Sequence, residues 1–235
     1  MSQPANVSQI LSKYSPCDVS DGMAKHGLDG SLPNLLQYSG PAATVAGPAY
    51  TVEFALFDDP RPEVQYIDSV QKGSVLCIGL DKRLQVSHAP YTLVNNALYG
   101  GLMSTRARYL GAVGTVVFGR IRDVKEHREL EYPVFAYGTG TAAPRPAVKP
   151  VALNKPLEVY VDGFPSGAYA TISPGDTIIA DENGVVRLPA SLPQSTVDQI
   201  LDYIPRRVRA DELVAQDILA GVGAISAQKD RRKGL

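Results

Sequence analysis

Hydrophobic and polar positions recur along this chain with more than one period, and each period predicts a different element. Near the start, Val7, Ile10 and Leu11 in "NVSQILSKYS" fall at helical spacing. "PCDVSDGMAKHG" predicts a second helix, with Asp18 or Ser20 as its cap. "TVAGPAYTVEFAL" alternates well enough for a strand, and the apolar run in "GSVLCIGLD" predicts a buried one. Leu98, Leu102, Ala107 and Leu110 then return to helical spacing, followed by a short strand over Thr115–Phe118. Strand, helix and strand in that order form a βαβ unit. Further on the elements shorten. "LEVYVDG" and "YATISPGDTIIADENGVVRLP" predict short strands, and Asn183-Gly184 predicts a type I′ hairpin turn, which needs positive φ. "STVDQILDYI" and "RADELVAQDILAG" are amphipathic and helical, interrupted at Pro205. The fold class that follows is α/β: one domain over residues 1–235, with a mixed sheet and helices at both chain ends.

Composition narrows the partners. The chain has 235 residues, 44% hydrophobic and 20% charged, enough for a sizeable core. A net charge of −1 favours neither nucleic acid nor an acidic membrane surface. The basic stretch "KDRRKGL", residues 229–235, reads as a mobile, solvated terminus. No apolar run approaches the 18 or so residues of a membrane span, and the first residues lack the pattern of a signal peptide. Cys17 and Cys77 do not make a disulfide framework. A cytoplasmic location is the expectation.

Two stretches carry candidate chemistry. In "YGGLM", each interior glycine would cost a helix about 1 kcal/mol, so the helix is expected to begin near Gly101. The first amides, at Gly101 to Met103, then point outward and can cradle a carboxylate. Gly100 and Gly101 equally permit close helix–strand packing, and spacing alone does not choose. In "FGRIRD", a strand ending near Phe118 puts Arg120, Arg122 and Asp123 in the loop at its carboxyl end, with Gly119 letting the chain turn away. Open α/β sheets place ligands at that edge. An aspartate there can hold Mg²⁺ or Mn²⁺, and an arginine can hold a carboxylate or enolate oxygen. The alternative is an Arg–Asp ion pair closing the loop. His26, His88 and His127 are scattered without metal-ligand spacing, and no GxGxxG or GxSxG pattern occurs.

Taken together, "YGGLMSTRARYLGAVGTVVFGRIRDVKEH", "CDVSDGM" and "SPGDTIIADENGVVRLP" resemble the family of the regulator of ribonuclease activity A (RraA), from about Cys17 to Gly221. "DDPRP", "YIDSV" and "YGGLMSTRA" are most similar to its fungal branch. The family includes 4-hydroxy-4-methyl-2-oxoglutarate aldolases that also decarboxylate oxaloacetate. The resemblance implies an α/β/β/α sandwich in a homotrimer, or a hexamer of paired trimers, with sites between subunits. It implies that Asp123 binds a divalent cation (Mg²⁺ or Mn²⁺) and that Arg122 binds substrate near its carbonyl. The amides of Gly100, Gly101, Leu102 and Met103 would receive the carboxylate of a 2-oxo acid such as pyruvate. Asp211 matches a neighbouring subunit's glutamate near the cation's water shell. Many bacterial aldolases carry an acidic residue where this chain has Gly101, so decarboxylation is expected to exceed aldol cleavage here. Two other expectations stand beside the lyase: a non-enzymatic protein-binding regulator, and the same aldolase run toward pyruvate condensation.

Overall fold

The computed structural model describes residues 4–161 and 169–235. Among them the chain begins with α1 (Pro4–Leu11), α2 (Pro16–Ala24), β1 (Ser31–Leu32), β2 (Leu36–Ser39), β3 (Val45–Leu56) and β4 (Val75–Leu80). The βαβ region follows as β5 (Ala97–Tyr99), α3 (Gly101–Tyr109), β6 (Gly114–Ile121), α4 (Val124–Glu129) and β7 (Val134–Thr139). Then come β8 (Val148–Leu153), β9 (Leu157–Tyr160), β10 (Tyr169–Ile172), β11 (Thr177–Asp181), β12 (Gly184–Leu188), α5 (Gln194–Leu219) and α6 (Ala224–Arg231). Asp162 and Gly163 of the predicted strand "LEVYVDG" lie outside the described residues.

Alternation along the strands builds the layers. In β4, Leu76, Ile78 and Leu80 point into one apolar cluster, and Val75 and Cys77 into another. The first cluster joins the sheet to α3 through Ala107. The second lies between β4, β6 and β7 on one side and β9 to β12 on the other. Ile179, Val186 and Leu188 turn the opposite way and meet Leu11, Val19, Ile200 and Ile204 from α1, α2 and α5. Helix, strand, strand and helix layers thus stack around three cores, which is the expected mixed α/β sandwich.

Strand β3 links the halves. Its first residues pair antiparallel with β11, and Ala49–Phe54 pair parallel with β4. Beyond it β4, β6 and β7 are all parallel, so their carboxyl ends share one edge. Strand β5 pairs parallel with the far end of β6.

Several local expectations need correction. The cap of α2 is Ser15, whose Oγ accepts from the amide of Asp18; Asp18 in turn accepts from the amide of Ser15. Asp18 is therefore the far half of a capping box, and Ser20 lies inside the helix. The β11–β12 hairpin forms, but Asp181 pairs with Gly184, and among its turn residues only Gly184 has positive φ (132°). The Asp181 carboxylate accepts from the amide of Asn183 and shapes the turn instead. Pro205 does not divide the last helices: α5 runs through it, with the proline on the exposed side. The basic tail is folded back. Arg231 bonds both carboxylate oxygens of Asp217 at 2.7 and 2.9 Å, and Arg232 bonds Asp211 at 2.6 Å. No helix among the described residues is long and apolar enough to cross a membrane.

Candidate functional site

Strand β6 runs past Phe118 to Ile121, so Gly119 and Arg120 belong to the strand rather than to a loop. Gly119 answers a packing need. A β-carbon there would lie 2.7 Å from Leu98 Cδ1, so glycine lets β5 come close. Arg120 turns aside and donates to the Thr139 carbonyl at 2.7 Å. The chain then reverses at Asp123, whose φ of 60° and ψ of 39° are left-handed. Aspartate tolerates that region better than most residues.

The reversal aims Asp123 back at the start of α3. Gly100 is the extended residue before the helix and Gly101 is its first residue, as the two glycines predict. The amide of Gly101 donates to Asp123 Oδ2 at 3.1 Å. Arg122 Nε stands 3.4 Å from the same oxygen, and the Arg122 amide donates to the Tyr99 carbonyl at 3.0 Å. A β-carbon on Gly100 would fall 2.7 Å from Asp123 Oδ2 and 3.2 Å from Arg122 Nε, so any side chain at 100 would crowd both groups. The Arg–Asp ion pair expected as the alternative at this loop is therefore present. Of the amides expected to form a cradle, Gly101 already serves Asp123, and Met103 donates to the Gly100 carbonyl at 3.0 Å.

Gly100, Leu102, Met103, Arg122 and Asp123 all line one cavity of about 370 Å³. Its far wall includes Tyr66 and an ion pair between Arg145 and Glu63. Gly101 lies just behind this lining. Asp211 is placed elsewhere in the fold's contacts, on α5, where Arg207 and Arg232 bond its carboxylate at 2.8 and 2.6 Å.

Support comes from beneath. Tyr99 is buried, and its hydroxyl accepts from Ser104 and Thr115, each at 3.1 Å. Burial holds that hydroxyl well above its usual pKa, so it acts as a neutral strut. His127 stacks flat on the Tyr99 ring, with centroids 5.8 Å apart and planes 12° apart. Burial pushes its imidazole below the usual value. Sequence reasoning missed Glu126, whose carboxylate stands over Gly101. The three-residue step from Asp123 to Glu126 was the available signal.

The donor set bears on a cation. Among the described residues, no three His, Cys, Asp or Glu side chains gather to hold a metal ion by themselves. Asp123 offers a single carboxylate, one-third exposed, facing a cavity with room for oxygen ligands from substrate and water. Mg²⁺ is commonly bound by one or two carboxylates while keeping several waters, so the residues present fit such an ion.

The sandwich is shared with solved structures. A protein of Pseudomonas syringae matches with a TM-score of 0.73 at 24% identity, covering 95% of this chain and 97% of that one. RraAS2 of Streptomyces coelicolor, described as an unusual member of the RNase ES inhibitor RraA protein family, matches with a TM-score of 0.64 at 22% identity over 88% and 96%. In sequence, a Burkholderia multivorans protein named "Putative 4-hydroxy-4-methyl-2-oxoglutarate aldolase" is 31% identical over 176 residues, 75% of this chain and 94% of that one. Protein DlpA of Legionella pneumophila is 29% identical over 204 residues, 83% of this chain, but the match spans only 29% of DlpA's length. Residues 16–187 match the RraA-like family profile described as Aldolase/RraA, and they include both halves of the cavity's charged edge. With fold, motif segments and profile in agreement, the chain belongs to the Aldolase/RraA family.

Proposed function

We propose that this chain is a divalent-cation-dependent carbon–carbon lyase acting on 2-oxo acids. Its reactions are aldol cleavage of 4-hydroxy-4-methyl-2-oxoglutarate and decarboxylation of oxaloacetate. The observation that carries this reading is the convergence of Asp123, Arg122 and the amino end of α3 on one cavity. Both reactions break a carbon–carbon bond and leave a pyruvate enolate, so both need fixed positive charge beside a 2-oxo carboxylate.

The residues divide that work. The amino end of α3, whose Gly101 and Met103 amides are already engaged, favours the substrate carboxylate through its helix dipole. Arg122, tethered through its amide to Tyr99, directs a guanidinium at the oxygen that becomes negative as the bond breaks. Asp123 would hold Mg²⁺ or Mn²⁺, which when bound supplies Lewis-acid charge at the same 2-oxo group.

The test is pyruvate release from each substrate with Mg²⁺, with Mn²⁺ and with EDTA, against protein-free controls. Turnover should need the cation. In Asp123→Asn it should fall by at least about 100-fold, because both the carboxylate charge and its bond to Gly101 change. Absence of cation-dependent turnover on both substrates would reject the lyase and leave a binding role.

The same reading implies a homo-oligomer, a trimer or hexamer. Leu102 and Tyr109 on α3 are 73% and 79% exposed in the single chain, unusual for large apolar groups beside a site. Sedimentation should give a mass at least three times the chain's 25.1 kDa; a monomer at micromolar concentration would contradict it.

A further inference from the structure

Gly101 opens a space that a side chain of another element fills. A β-carbon built on Gly101 would overlap the Glu126 carboxylate, and it would lie 2.6 Å from Glu126 Cδ and 2.7 Å from Glu126 Cβ. Helix α4 thus lays Glu126 across the first residue of α3, while Asp123, one turn earlier, bonds the amide of that same residue. Two carboxylates flank the start of α3 from one side. They are not equivalent. Asp123 is engaged by Gly101 and Arg122, and in the proposed function it also holds the cation. Glu126 is the other side-chain carboxylate at this end of the helix.

Chemistry gives that second carboxylate a task. Decarboxylation of oxaloacetate releases CO₂ from C3 without removing a proton from any hydroxyl. Aldol cleavage does require such a removal. As the C3–C4 bond of 4-hydroxy-4-methyl-2-oxoglutarate breaks, its electron pair stays on the C3 side as the enolate. The C4 hydroxyl must lose its proton to become the carbonyl of the second pyruvate. A base within reach of the cradle therefore separates an aldolase from a decarboxylase.

We infer that Glu126 is this base: its carboxylate, lying where a side chain of residue 101 would be, accepts the C4 hydroxyl proton and passes it to solvent, and solvent protonates C3 of the enolate in both reactions. The inference rests on the lyase reading above. It also removes the ground for expecting weak aldol cleavage, since the carboxylate that Gly101 lacks comes from α4. Glycine at 101 is what gives Glu126 its place.

The experiment compares wild type, Glu126→Gln and Glu126→Asp on both substrates at saturating Mn²⁺, with the Mn²⁺ dissociation constant measured separately by electron paramagnetic resonance. Glu126→Gln keeps size and shape. Its aldol kcat should fall at least about 100-fold while oxaloacetate decarboxylation changes by less than about threefold. Glu126→Asp should recover part of the aldol rate. Mn²⁺ affinity should weaken by less than about tenfold, the scale of losing one charge near a cation across solvent. Three results would overturn the assignment with the wild type active: equal losses on both substrates, an unchanged aldol rate, or an affinity loss as large as that of Asp123→Asn. A wild type inactive on both substrates would instead overturn the lyase reading, and this inference with it.

Discussion

Gly119 interrupts the apolar run of β6 with a residue that weakens strands, and its reason lies on the neighbouring strand. Leu98 is almost fully buried, and its Cδ1 occupies the space a β-carbon would need. Gly119→Ala should force β5 away from β6, at a cost of about 1–3 kcal/mol by thermal unfolding. Because β5 leads directly into Gly100, catalytic efficiency should fall with stability. An alanine variant with wild-type melting and activity would show that Leu98 simply rotates aside. The same residue marks how far the sequence could be read. Arg122 and Asp123 stood out because charges crowd the exit of a buried strand. Gly119 reads as a turn residue in sequence because its need is a contact with Leu98 on the neighbouring strand. Glu126 is illegible for a similar reason: within "DVKEHREL" it looks like one more solvent-facing charge. Its meaning arises only when α4 folds against Gly101.

At the scale of elements, what was legible were features with a local cause. The start of α3 followed from two adjacent glycines, and the β11–β12 hairpin from its turn residues. The capping box of α2 is half legible: Asp18 reads as a helix-start residue, but the cap itself is Ser15, three residues earlier. Sequence pattern ends β6 near Phe118 because Gly119 and Arg120 lack strand character, yet Arg120 and Ile121 pair with Gly138 and Thr139 of β7. Tertiary pairing overrode propensity there. Helix α5 shows the same competition. Proline removes one helical donor and crowds the preceding turn, which should end a marginal helix. Here Val197, Ile200, Tyr203 and Ile204 before the proline, and Ala210 and Val214 after it, are all buried, so one apolar stripe spans the interruption. Arg206, next to the proline, donates to both the carbonyl and the carboxylate of Asp202. Burial along the whole helix outweighs the one lost bond.

For the molecule as a whole, the carboxyl edge of the sheet must keep its shape while a charged substrate enters, and a network beside the cavity ties that edge together. Arg61 bonds Glu53 at the end of β3 (2.7 Å), Asp59 in the following loop (2.8 Å) and Asp81 just after β4 (2.9 Å). Arg83 closes the circuit to Asp81 at 2.9 Å and Asp59 at 3.0 Å. Single exposed pairs contribute little, but a network of shared partners with bidentate geometry contributes more. The Arg61 guanidinium and amide hold the Asp59 carboxyl well below the usual range, and Arg83 does the same chiefly for Asp81. A carboxylate whose folded pKa lies below its unfolded one binds its proton later on acidification than the unfolded chain does. Its stabilisation is therefore complete above the ordinary aspartate value of about 4 and drains away as the pH falls below it. The urea midpoint should accordingly hold from pH 7 to about 5 and fall continuously as the pH drops below about 4. In Arg83→Gln both aspartates lose a partner and move back toward the ordinary value. That variant should start less stable at neutral pH and lose less on acidification, so the gap between the two curves narrows progressively below about pH 4. Parallel curves, separated equally at every pH, would mean that Arg83 stabilises by packing alone and that the network does not hold this edge by charge.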